Sequence, residues 1–327
     1  MFHFMKNTSC AIAILLLVLM SYSQTIANPI IPELPNVFKG ELGPFDKNKK
    51  YTGKKDLFRP NLKSRNYKKG NLSRADLRRV NLEESDLSGA NFSKANLHGA
   101  NLSSSNLDKA SLVEAKLVRA NLSFTNLAKA NLSRANLAYA NFHKANLSGA
   151  ALKGAKLLGS RFSFVNLSRG NLTEAKLDHA DFSLADLKKA SCNRALLGSS
   201  QFYGTDFSGA SFINAKIFGS HFNKANLSNA NLNGAQLKGS SFDLTDFSGA
   251  TMLGADISGA NLKYASNLTC EQLLTTKLFE RKSTVVPIYL KIEWTSQEEF
   301  TCKRDLCVDV GEGDGDLNKR MKSKACK

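Results

Sequence analysis

Proline is scarce in this chain and is missing altogether from its long middle part. The 327 residues contain six prolines, and none lies between Pro60 and Pro287. Proline has no backbone N–H and is common in ordinary loops, so this absence indicates a backbone whose N–H groups are all needed for hydrogen bonds. A layered β structure meets that description.

The residue types that carry catalysis or bind metals are also poorly represented. There are five histidines, none of them after residue 265, and no serine has recurring His and Asp neighbours. A catalytic pocket needs a nucleophile or base held by partner side chains. We therefore predict no enzymatic activity, no metal site and no cofactor.

Apolar residues are present in a strict five-residue register. From Leu72 to Leu262 an apolar residue recurs at every fifth position, thirty-nine times in all, and twenty-five of these are Leu and ten are Phe. This period fits neither the 3.6 residues of an α-helix nor the two of a β-strand. Two positions before each central residue stands a small one, usually Ala, and the residue between them is often Asn or Asp, which suits a chain that turns in every repeat.

Runs such as Ala145-Asn146-Leu147-Ser148-Gly149 resemble the pentapeptide repeat family. The resemblance covers roughly residues 56–265. It implies an all-β solenoid, namely a right-handed quadrilateral β-helix with four repeats in each coil. With layers about 4.8 Å apart, about ten coils would make a rod on the order of 45 to 50 Å long.

A twenty-residue coil makes a prediction of its own, because central residues twenty apart should stack on one side. Six phenylalanines fall in one such column: Phe142, Phe162, Phe182, Phe202, Phe222 and Phe242. A ladder of stacked rings inside a narrow tube is the expected result. Cys192 occupies a central position and should be a buried, unreactive thiol.

The N-terminal residues 1–27 read as a signal peptide. They contain Lys6, an apolar run from Cys10 to Met20 and a small-residue site ending at Ala27, with Ser23 as an alternative cleavage position. The run is too short to span a bilayer, which takes about 20 residues. We predict a periplasmic or secreted bacterial protein that does not span the membrane after cleavage.

Residues 28–55 form a basic, Pro-containing lead-in, and the basic residues continue into the first repeats. An electrostatic contact with an anionic surface is one interpretation, and a solvated N-terminal cap is the other. The candidate contacts are Lys47, Lys49, Lys50, Lys54, Lys55, Arg59, Lys63, Arg65, Lys68 and Lys69.

Residues 266–327 form a C-terminal cap and tail. The register breaks there, and Thr269 and Gln272 are placed as the capping box of a short helix. The candidate disulfide cysteines are Cys270, Cys302, Cys307 and Cys326. In an exported chain they allow two disulfides, and the short spacing favours Cys302 with Cys307 as one pair.

These features predict a non-enzymatic exported scaffold or protein-interaction module whose partner is a protein, with a homodimer as one form. The alternative is a basic module that binds anionic envelope lipid or polysaccharide. The resemblance also brings in DNA mimicry, by which acidic members bind topoisomerases. Residues 71–265 carry 22 basic and 14 acidic side chains, so mimicry and nucleic-acid binding are both disfavoured.

Overall fold

The computed structural model describes residues 61–276, 283–294 and 300–304, which form a four-sided tube with a small cap at its C-terminal end. Parallel β-bridges join residues twenty positions apart, from Asn61 with Asn81 to Asp246 with Ser266. One coil therefore takes twenty residues and each side takes one repeat, as the family resemblance implies.

The repeat centred on Phe92 shows why proline is missing. Its five N–H groups all donate: three to carbonyls of neighbouring coils, one to a side chain and one across a turn. The donor–acceptor pairs are Asn91 to Gly70, Phe92 to Ser111, Lys94 to Val113, Ser93 to Asn91 Oδ1, and Ala90 to Leu87. A proline at any of these positions would remove one bond.

The turn of each repeat lies after the central residue. The second residue after it has a positive φ, as at Lys94 with 62° and Gly149 with 66°. Asn or Asp lies three residues earlier and accepts the N–H two residues on, as Asn146 Oδ1 does from Ser148 at 3.1 Å. The predicted hydrogen bonding of these Asn and Asp side chains to neighbouring backbone is confirmed. The residue with the left-handed backbone lies three positions further along the chain.

The interior consists of the central residues and the small residues before them, which are buried along the tube. We number the sides by their central residues: side 1 runs from Leu72 to Met252, side 2 from Leu77 to Ile257, side 3 from Leu82 to Leu262 and side 4 from Leu87 to Phe247. Each repeat, with its flanking residues, belongs to the side of its central residue.

The predicted Phe column is confirmed on side 3. The Phe162 and Phe182 rings stack with centroids 4.5 Å apart, and each of the six rings stacks on its neighbours in the column. Cys192 is buried on side 1, where desolvation raises the pKa of its thiol to about 12.

Beyond Ser266 the chain crosses the end of the tube. Helix α1, Cys270–Leu274, begins with Thr269 as its N-cap in a capping box with Gln272. The Gln272 side chain donates to the carbonyls of Phe247 and Ala250 at 3.0 and 2.8 Å. The Ala250 carbonyl is one that a further coil would otherwise bond, as Thr251 N–H bonds the Ala230 carbonyl one coil earlier. Leu268, Leu273 and Tyr289 extend the apolar core over the last coil.

After the helix, the chain returns to the tube. Val285 forms a parallel bridge with Asn261. Strand β1, Leu290–Trp294, then pairs in antiparallel fashion with strand β2, Phe300–Arg304, with Ile292 opposite Cys302. This two-stranded sheet packs β2 against α1.

Candidate functional surfaces

The outside of the tube carries its charges unevenly. Between residues 71 and 265, side 1 has five basic and two acidic residues and side 2 has eight and three. Side 3 has four of each sign, and side 4 has five of each. The net positive charge of the repeats therefore lies on two adjacent sides, and side 2 holds the larger part.

Side 2 carries a column of lysines. Lys116, Lys156, Lys176 and Lys216 all occupy the position before the central residue, and all are exposed. Lys156 and Lys176 are bridge partners in adjacent coils. Because coils are about 4.8 Å apart, the column is about 24 Å long from Lys116 to Lys216. Arg119 lies in the same coil as Lys116, and Lys238 lies one coil beyond Lys216. We call these six residues the basic column.

The basic column has few counter-charges along it. None of its six residues takes part in an ion pair among the described residues. The acid within its length is Asp178, whose carboxylate accepts the backbone N–H of Gly198 at 3.2 Å. On side 1, by contrast, Arg134 and Arg194 lie 3.8 Å from Glu114 and Glu174.

A shallow cleft of about 440 Å³ lies at the corner between sides 2 and 3, near the first coils. Arg79, His98 and Arg119 line it on successive coils, together with Asn81 and Asn101. Asn101 also donates to Asn81 at 3.1 Å, so the amides form a fixed wall. The cleft presents cationic side chains and amides, which suit an anionic group.

A second surface follows the corner after side 3, where large apolar side chains are exposed. We call Phe124, His143, Lys144, Phe164, Leu184 and Tyr203 the aromatic ridge. His143 meets Phe124 and Phe164 edge to face at 5.8 and 5.6 Å, and the Lys144 ammonium lies 5.6 and 5.9 Å from the same two rings. Phe124 is 56% exposed and Phe164 51%, so the rings face outward.

The predicted N-terminal contacts divide into two groups. Lys47, Lys49, Lys50, Lys54, Lys55 and Arg59 lie outside the described residues. Lys63 lies 3.5 and 3.2 Å from Glu83 and Glu84, and its hydrogen bond to Glu84 raises the pKa of its ammonium. Arg65 is half-buried, and Lys68 and Lys69 are exposed. The first coils thus balance part of this charge themselves.

The predicted disulfide between Cys302 and Cys307 is wrong. Cys302 forms a disulfide with Cys270, with the two Cα atoms 5.4 Å apart, and not with Cys307. The reason is the sheet: Cys302 lies within β2, which packs against α1, where Cys270 begins the helix. Cys307 and Cys326 lie outside the described residues.

In residues 61–276 and the two short C-terminal stretches, no group of His, Cys, Asp and Glu side chains could hold a metal ion. Within those ranges, too, no helix has the length and apolar character needed to cross a bilayer.

The repeat register decides the family. The family profile for pentapeptide repeats matches residues 71–108, 115–154, 145–183, 185–223 and 225–263, which together make up more than half of the chain. The chain belongs to the pentapeptide repeat family. The tube, its four sides and its five-residue repeats are those of this family.

Solved structures of pentapeptide repeat proteins are similar to this chain. HetL, a protein involved in heterocyst differentiation regulation from the cyanobacterium Nostoc, is 32% identical over 64% of this chain and 91% of its own, with a TM-score of 0.49. Trypsin-treated QnrB1, a plasmid-mediated fluoroquinolone resistance protein, is 18% identical over 52% of this chain and 88% of its own, with a TM-score of 0.46.

A pentapeptide repeat protein of the Arabidopsis thaliana thylakoid lumen is 28% identical over 36% of this chain and 65% of its own, with a TM-score of 0.21. No curated protein sequence matches the chain. The comparisons thus give the family.

The basic column could have been found in the sequence of this pentapeptide repeat protein. The residue numbers of Lys116, Lys156, Lys176 and Lys216 differ by multiples of twenty. Applying the coil length to the residue before each central position, and not only to the central residue, would have placed them on one side. The total charge of the repeats indicates the column less clearly, because sides 3 and 4 add equal numbers of basic and acidic residues.

Proposed function

We propose that this pentapeptide repeat protein is a non-enzymatic, exported scaffold that binds a partner protein through the outside of its tube. The aromatic ridge is the observation that supports this proposal. Aromatic side chains are enriched at protein interfaces, where a few rings supply much of the binding energy. Phe124, Phe164, Leu184 and Tyr203 are all between 44% and 56% exposed on neighbouring coils.

The interior supports a binding role over a catalytic one. Leu, Phe and Ala side chains fill most of the tube, and the buried Ser and Thr hydroxyls two positions before a central residue donate to backbone carbonyls, such as Ser220 to Leu197 at 2.6 Å. The scaffold offers rigid flat sides to a partner, since each coil is bonded to the coils above and below it.

Export rests on the signal-like N-terminus and gains support from the cap. Disulfides persist in oxidising compartments such as the periplasm, and Cys270 with Cys302 joins α1 to β2. Fractionation with N-terminal sequencing tests it. We expect an envelope or culture-medium form that begins after Ala27 or Ser23. A full-length protein confined to the cytoplasm would refute export.

Site-specific photo-crosslinking tests the partner. A photoreactive residue at Phe164 should give one reproducible protein adduct in envelope preparations, and a second copy of this chain would count as a partner. The control is the same residue at Lys129, which is exposed on side 4. Identical adducts at the two positions, or none at Phe164, would overturn the ridge as the binding surface.

The second candidate function is a basic module that binds an anionic lipid or polysaccharide. The basic column of side 2 favours it, because its six charges form no ion pair among the described residues. This alternative needs no protein partner and is compatible with the same export route.

A further inference from the structure

We infer that side 2 binds a linear anionic polysaccharide that lies along the tube axis, with the basic column as its contact. The inference rests on the second function proposed above and assigns it to a particular surface and ligand. The N-terminal basic run is not needed for it. The residues that carry it are Lys116, Arg119, Lys156, Lys176, Lys216 and Lys238.

The linear arrangement of the column is the first reason. Lys116, Lys156, Lys176 and Lys216 form a line one residue wide along about 24 Å of the tube. A bilayer surface would be matched by cations spread across a plane. On one flank, side 3 carries as many acidic as basic residues. On the other flank, three of the five cations of side 1 lie within 3.8 Å of Glu114 or Glu174, so the unpaired positive charge is concentrated on side 2. A chain-like polyanion fits a strip of this shape.

The cost of the arrangement is the second reason. Like charges placed directly opposite each other on adjacent strands are destabilising. Lys156 and Lys176 are such a pair, and Asp178, the acid beside them, accepts the Gly198 N–H and forms no ion pair with either lysine among the described residues. A polyanion would supply the counter-charges that the tube lacks on this side, and a long positive strip also raises the rate of encounter with it.

The side chains between and beside the lysines favour sugar over nucleic acid. Asn136 and Gln236 lie in the same column and can hydrogen-bond to hydroxyl groups. Tyr139 and Phe218 are 55% and 42% exposed at the adjoining corner, where a flat sugar ring can pack on them. The two rings are four coils, or about 19 Å, apart, too far for the successive base stacking of single strands.

The test measures binding of the mature protein to three probes: a linear carboxylated polysaccharide such as alginate, vesicles containing an anionic phospholipid, and single-stranded DNA. The variant combines Lys156→Gln, Lys176→Gln and Lys216→Gln. The matched control combines Lys129→Gln, Arg169→Gln and Lys189→Gln on side 4. Both lose three exposed positive charges that form no ion pair in the described part of the chain.

The inference expects tightest binding to the polysaccharide, with a dissociation constant that rises with salt because exposed charges are screened. The side 2 variant should bind about tenfold more weakly, a change of about 1.4 kcal/mol. The side 4 variant should bind within about twofold of the original chain. Unfolding curves of the two variants should coincide, which separates lost contacts from lost structure.

Three results would overturn the inference. Equal weakening by the two variants would mean that total charge decides binding. Tighter binding to vesicles or to DNA would give side 2 to another class of ligand. Absence of polysaccharide binding would remove the ligand, and the ridge crosslinks and the export assay would still decide the scaffold proposal independently.

Discussion

Sides 2 and 4 lie opposite each other across the tube, and they share an interior but not an exterior. Inside, both are columns of buried Leu with a few Ile or Phe residues, preceded by small residues. Outside, side 4 carries an amide ladder in which Asn146 donates to Asn126 and Asn126 to Asn106, at 3.1 and 3.0 Å. Side 2 carries the basic column at the same positions.

The comparison separates the residues that build the tube from those that can act on a partner. The inward residues and the backbone bonds are repeated on every side and therefore serve stability. The outward position before the central residue is free to vary, since both Asn and Lys are accommodated there. Substitutions of inward-facing residues should thus change stability equally on sides 2 and 4. Substitutions of outward-facing residues should have different effects on the two sides.

Core truncation should cause the largest loss, and by the same amount on the two sides. Leu177→Ala on side 2 and Leu167→Ala on side 4 each remove a fully buried side chain. Each should lower the free energy of unfolding in urea by about 2–5 kcal/mol. A loss on one side only would mean that the interior is less uniform than the columns indicate.

Proline in the outward position should come next. Asn136→Pro and Asn166→Pro each delete an N–H that donates to the coil before, to Ala115 at 2.9 Å and to Ala145 at 3.1 Å. We expect a loss of about 3 kcal/mol for each. Asn136→Lys is the control, because Lys is native one coil before and after it. If the proline variants were as stable as that control, the assignment of a hydrogen bond to each N–H of the repeat would be wrong.

A Cβ in the turn should have a smaller effect. Gly149 on side 4 has φ 66° and would place its Cβ 3.7 Å from the nearest atom, so only backbone strain is added. Gly149→Ala should cost about 1–2 kcal/mol in urea unfolding. Ser148→Ala, one residue earlier, should be near neutral. Equal stabilities for these two variants would contradict the positive φ.

The smallest effects should distinguish the outsides of the two sides. Asn126→Ala removes amide bonds to two coils and should cost about 1 kcal/mol. Lys176→Ala removes a charge next to Lys156 and should change the free energy of unfolding by less than about 0.5 kcal/mol. At low salt we expect the change to be stabilising. Thermal unfolding of both variants checks this, and a larger loss for Lys176→Ala would show an unrecognised partner.

Much of the tube could be predicted from the sequence because its physics is local and repeated. The central Leu and Phe residues gave the five-residue register, the family resemblance implied four repeats in each coil, and the proline gap indicated that the backbone N–H groups are bonded. The Cys302–Cys307 pair could not be assigned from spacing, since the partner of Cys302 depends on how β2 folds back onto α1. The aromatic ridge was missed because its members, such as Phe124 and Phe164, lie outside the central register.

The decisive measurement is the dissociation constant for a linear anionic polysaccharide, compared between the side 2 and side 4 triple variants at one low salt concentration. The account predicts about tenfold weaker binding for Lys156→Gln, Lys176→Gln and Lys216→Gln, and a change within about twofold for Lys129→Gln, Arg169→Gln and Lys189→Gln. Equal dissociation constants for the two variants would contradict it.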